Sequence, residues 1–166
     1  MTHLIEQFIE LLQASEKLFD QLLSIIEEEK AAMVMADAQR LVSATDGKKQ
    51  ILIQIQGLEQ HRSRLLAQIA QQLRLPPDTA RLSALAERVP GPFQARLKKL
   101  NNSLGDITAK IRAADKENRR MMHHCLHLVQ NALSFLNAWT SPSAVYGASG
   151  AVHARQGNGR LLSDSA

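Results

Sequence analysis

The residues best able to do chemistry stand together at His123-His124-Cys125-Leu126-His127. On a helix, His123 and His127 are four apart on one face, a spacing at which two imidazoles bind a metal ion. Further ligands would have to come from another helix, and the Glu-x-x-His pair of di-iron bundles occurs nowhere in the chain. The cluster therefore reads as surface histidines, and no metal or cofactor is expected. Cys125, the single cysteine, excludes an internal disulfide. It falls on an apolar seam and is expected to be a small core residue rather than a reactive thiol. Glu27-Glu28-Glu29 reads as a solvated helix end rather than a paired-carboxylate site.

Catalytic signatures are missing as well. The sequence has no Walker A loop, nucleophile elbow or H-E-x-x-H motif. Gly157-Asn158-Gly159 follows no strand and opens no helix, as a dinucleotide loop must. No enzyme is expected. Ten basic residues face four acids between Arg81 and Arg120, but they are spread around the helix without stacking aromatics, so nucleic-acid binding is not expected either.

These residues sit in a chain built for long helices. Its 166 residues suit one hydrophobic core. Glycine and proline are sparse before Thr140, and Leu, Ala, Gln, Glu, Lys and Arg dominate. The expected fold is all-α: an antiparallel bundle of three long helices plus one short connecting helix over residues 1–139, followed by a disordered, Gly/Ser-rich tail over 140–166. Residues 1–37 hold eight acids against two lysines, so −6, and with a net charge of +4 the remainder carries +10. An acidic first helix beside basic later ones orients the bundle. The N-terminus has no basic n-region, and no stretch approaches about 18 apolar residues, so a cytoplasmic protein without membrane insertion is expected.

Along the first helix, Leu4, Phe8, Leu11, Ser15, Leu18, Leu22 and Ile25 form one row, with Ile5, Leu12, Phe19, Ile26 and Met33 beside it. Two adjacent rows suit contact with two neighbouring helices. Asp37 is placed to cap a second helix running to about Arg74, in which Lys48 and Arg62 interrupt the apolar row. Their stems should cover the seam while their charges reach out to acids of helix one. Leu75-Pro76-Pro77-Asp78 ends that helix, Thr79 to Val89 forms a short one, and Pro90-Gly91-Pro92 breaks the chain again.

A heptad seam then runs from Phe93 to Trp139 in steps of four and three, giving a helix of roughly 70 Å. Asn118 occupies a seam position, where a buried amide specifies helix register. Up to Lys116 the flanks are polar or basic. From Met121 extra apolar residues join the stripe, Met122, Val129 and Leu136 on one flank and Leu126 and Leu133 on the other. This quarter needs more cover than a two-helix seam gives, from the bundle or from a partner. Beyond it, Val145, Tyr146, Leu161 and Leu162 are apolar anchors in a tail that is otherwise Gly, Ser and Ala rich.

This layout resembles the FlgN family of bacterial flagellar export chaperones. The resemblance rests on the acidic first helix, Lys48 and Arg62 among leucines, the proline break, the heptad helix with Asn118, and Tyr146-Gly147-Ala148-Ser149-Gly150 after the last helix. It implies a non-enzymatic chaperone for the hook–filament junction proteins FlgK and FlgL, delivering them to the flagellar type III export apparatus. By position, the end of the long helix (Met122, Leu126, Val129, Leu133 and Leu136) would bind cargo, and Tyr146 would contact the export gate. The alternative is a generic coiled-coil scaffold or adaptor without chaperone activity.

Overall fold

A computed structural model of the chain describes residues 1–74, 82–89, 91–140, 145–146 and 152–153. Four helices follow in order: α1 Thr2–Val34, α2 Ala38–Gln72, α3 Leu82–Arg88 and α4 Gly91–Thr140. The all-α class is as expected. One feature is added in the tail, where β1 (Val145–Tyr146) pairs antiparallel with β2 (Val152–His153), Tyr146 opposite Val152. The rest of the tail, including Leu161 and Leu162, and the expected break and helix start at Leu75 to Arg81 lie outside the described residues. The chain divides into two compact units, Met1–Met121 and Met122–Ala166, and the boundary falls inside α4.

In the first unit, three residues reverse the chain between α1 and α2. Ala36 adopts the left-handed conformation (φ 53°), which lets its N–H donate to Met33 O and that of Asp37 to Ala32 O, satisfying carbonyls that end α1. Asp37 then caps α2: its Oδ1 accepts the Arg40 backbone N–H at 2.9 Å. The helices thereafter pack closely. A Cβ on Gly47 would stand 3.2 Å from Ile25 Cδ1, so the glycine allows α2 to approach α1 at that turn.

Both rows of α1 are used. Phe8, Ile9 and Leu12 pack in one cluster with Leu65 and Ile69 of α2, Leu85 of α3, and Leu97 and Leu100 of α4. Farther along, Leu22 and Ile26 meet Ile51 of α2, with Ile111 and Ala114 of α4 against them. Contacts such as Glu29 to Lys48 near the turn, and Ile5 to Leu12 near Leu65 to Ala70 at the other end, show that α1 and α2 run in opposite directions. Glu16 with Ser103 and Lys30 with Glu117 show that α1 and α4 run the same way.

Between the helices lies a polar layer. Lys48 Nζ is 2.9 Å from Glu29 Oε2 and 2.9 Å from Asp115 Oδ1, tying α2 to both α1 and α4. The expected reach of Lys48 to an acid of helix one is therefore seen, with Asp115 as a second partner. Arg62 differs: it pairs with Glu59 one turn earlier on its own helix at 2.7 Å, because that carboxylate is nearer than any acid of α1. Glu29 also corrects the reading of Glu27-Glu28-Glu29 as a solvated helix end. It is buried, and the cation of Lys48 makes that burial tolerable.

Asn118 is buried in the same layer. Its Nδ2 donates to Ile26 O at 2.6 Å, and its Oδ1 finds no donor among the described residues. This is the geometry of a register device, in which one polar contact is correct only when α1 and α4 are aligned as observed. The orphaned acceptor has a stability consequence. Asn118→Leu is expected to raise the unfolding free energy by about 1 kcal/mol, because it removes a desolvated acceptor while a helical carbonyl loses only a secondary donor. A lower urea midpoint for the variant would show that the amide stabilises on balance.

Candidate functional site

The heptad seam of α4 changes character along its length. Leu97, Leu100, Ile107 and Asn118 are buried in the bundle. Past Met121 the same spacing continues, but burial stops. Met122, Leu126, Val129, Leu133 and Leu136 are exposed, and so are the seam positions Leu128, Phe135 and Trp139, over a range from 44% at Met122 to 80% at Trp139. Cys125 is half-buried, a correction to its expected place in the core, because the seam on which it lies has no dense packing at that turn. Phe135 and Trp139 lean on one another with ring centroids 6.1 Å apart.

Helical rotation also corrects how these residues are grouped. At about 100° per residue, Met122, Val129 and Leu136 fall on the same side of the seam as Leu126 and Leu133, not on opposite flanks. The result is two parallel rows. One holds Cys125, Leu128, Ala132, Phe135 and Trp139, and the other holds Met122, Leu126, Val129, Leu133 and Leu136. Together they make roughly half the circumference of the helix apolar over about 27 Å.

The opposite side is polar and holds no Asp, Glu, Lys or Arg. It carries His123, His127, Gln130 and Ser134, and His127 Nδ1 lies 3.2 Å from Asn131 Nδ2. Among the described residues no group of three or more His, Cys, Asp or Glu is arranged to hold a metal ion. From Met121 to Ala154 the sequence contains no Asp, Glu, Lys or Arg at all. That feature, readable in the sequence yet easily overlooked beside the heptads, removes the flanking charges by which coiled coils ordinarily select register and partner.

An exposed apolar surface of this size and continuity on a helix marks an interaction site. A second concavity, an open groove of ≈ 610 Å³ in the first unit, is lined by Phe19, Leu104, Gly105 and Arg112, and by Arg62, whose charge Glu59 already meets. Its two hydroxyls, Ser15 and Thr108, each donate to the backbone carbonyl one turn earlier, Leu11 O and Leu104 O.

The profile of one protein family, described as FlgN protein, matches residues 1–154. The chain belongs to the FlgN family. No curated protein and no solved structure matches it. FlgN membership brings the role of a chaperone in flagellum biogenesis and protein export. The match spans the bundle, the exposed end of α4 and the β1–β2 pair that holds Tyr146. No helix among the described residues is long and apolar enough to cross a membrane.

Proposed function

We propose that this FlgN-family protein is a non-enzymatic, cytoplasmic chaperone that binds the terminal helical regions of the hook–filament junction proteins FlgK and FlgL. It keeps them from associating prematurely and delivers them to the flagellar type III export apparatus. The observation that carries the reading is the exposed apolar face of residues 122–139, which holds no Asp, Glu, Lys or Arg; Met122, Leu126, Val129, Leu133 and Leu136 are its proposed contacts with cargo. Amphipathic helices that must stay apart before assembly have exposed heptads of their own, and this face can complete a helical bundle with them.

The reading is tested by pull-down from flagellated cells with the full chain and with a chain ending at residue 120. Recovery of FlgK or FlgL by the first and not by the second is expected; recovery by neither, with both baits folded, would contradict the assignment. Tyr146 is the proposed contact with the export gate. Tyr146→Ala should leave helical content and cargo affinity unchanged while reducing secretion of junction proteins several-fold. Equal secretion by variant and wild type would remove Tyr146 from the mechanism.

A further inference from the structure

The exposed end of α4 repeats the spacing by which α1 holds two helices. In α1, apolar pairs of adjacent residues recur at 8/9, 11/12, 18/19, 22/23 and 25/26; residues of both rows from the 8/9, 11/12 and 25/26 pairs pack against α2 and α4 together, with α3 joining them at the 8–12 end. In α4 the same three-and-four alternation of adjacent pairs recurs at 125/126, 128/129, 132/133 and 135/136, with Met122 before it and Trp139 after it. A single heptad row is the seam for one partner helix. Two rows set about 100° apart need two.

Resting on the reading of this face as the cargo site, we infer that residues 122–139 seat two helices at once, side by side, supplied by one partner as a pair of linked amphipathic helices. One bound helix covers one row and leaves the other in water. A second copy of this chain does no better, since pairing one row of each α4 leaves a row exposed on both. Two unlinked helices fill both rows but each loses its own translational freedom, whereas linked helices bind the second row at high effective concentration. The partner's chemistry follows from the missing charges. Its flanking positions meet His, Gln, Asn and Ser rather than Asp, Glu, Lys or Arg, so recognition is apolar and little affected by salt.

The test uses the full chain and two probes: a synthetic helix of about 18 residues with apolar residues at heptad spacing, and a hairpin of two such helices joined by a short loop. Calorimetry is expected to give two single helices or one hairpin per chain, the hairpin binding at least tenfold tighter and the affinity unchanged between low and high salt. Leu128→Ser, in one row, and Leu133→Ser, in the other, should each lower the single-helix stoichiometry from two to one and erase the hairpin's advantage. A wild-type stoichiometry of one, or abolition of all binding by either single substitution, overturns the inference. So does failure of both probes to bind while a junction protein still does, a result that leaves the chaperone reading intact. Dimerisation of the free chain that Leu133→Ser disrupts, seen by sedimentation, assigns the face to a second copy and also overturns it. The chaperone reading itself fails separately, if junction proteins do not bind at all.

Discussion

Carrying Leu126→Asp and Leu133→Asp together, the chain is expected to lose at least about 100-fold in affinity for a junction protein while its circular dichroism and thermal midpoint stay as in the wild type. Both leucines are more than half exposed, so neither change removes packing that holds the bundle. In a complex the two positions become buried. Covering a leucine fully contributes about 1.5–3 kcal/mol, and a carboxylate in its place adds the further penalty of desolvating a charge without a partner. No Lys or Arg lies within the turns on either side to offset it, because the segment from Met121 to Ala154 is free of them. Calorimetric titration of the purified proteins measures the loss. An affinity within about threefold of the wild type would place the contact elsewhere.

The second large effect is on the bundle. Lys48→Met is expected to destabilise the fold by about 1.5–3 kcal/mol in urea unfolding, the scale of charge-assisted hydrogen bonds in a cluster of which Glu29 is buried while Lys48 and Asp115 are partly exposed. Among the described residues, Glu29 is left in the core with only the long contact from Asn118, and Asp115 keeps only Arg119 on its exposed side. A difference below about 1 kcal/mol would show the cluster to be solvent-screened like an ordinary surface pair. Replacing Lys48, Glu29 and Asp115 together by apolar residues of similar volume should recover most of the loss, because no charge is then stranded.

The same cluster sets a pH dependence with a definite sign. Burial alone pushes the Lys48 amine down, but hydrogen bonds and attraction from Asp115 and Glu29 outweigh it and hold the amine above its ordinary 10.5. That stabilisation is complete below pH 10.5 and is lost as the pH rises through the higher folded value. The hydrogen bond from Lys48 outweighs the upward push of burial and, with the attraction of Lys48 and then the contact with Arg119, holds the Asp115 carboxyl below its ordinary 3.8. Its contribution is complete above pH 3.8 and is lost as the pH falls through the lower folded value. The stability gap between wild type and Lys48→Met should therefore be flat between these limits and shrink outside them.

Local rules were enough to read most of the bundle from sequence. The double row of α1, the Asp37 cap and the seam from Phe93 to Asn118 are periodicities and caps that each element writes in its own residues. Tertiary partners are not written that way. The burial of Glu29 depends on where Lys48 of another helix arrives, and the pairing of Arg62 with Glu59 depends on which carboxylate is nearest in space. Cys125 lies outside the core for a related reason. A heptad states that a residue faces a partner but not whether the partner belongs to the same chain, so burial was inferred for a row that is largely exposed. The grouping of Met122 and Val129 with Leu126 and Leu133 follows from the helical rotation angle alone.

Amide hydrogen exchange on the full chain, with and without a purified junction protein, tests the central claim most directly. Exchange reports local opening residue by residue. Binding is predicted to slow exchange across residues 122–139 strongly while leaving α1 and α2 close to their unbound rates. Protection confined to residues 1–121, or none in 122–139 under conditions where the complex is fully formed, would contradict the assignment of this exposed face as the cargo seat.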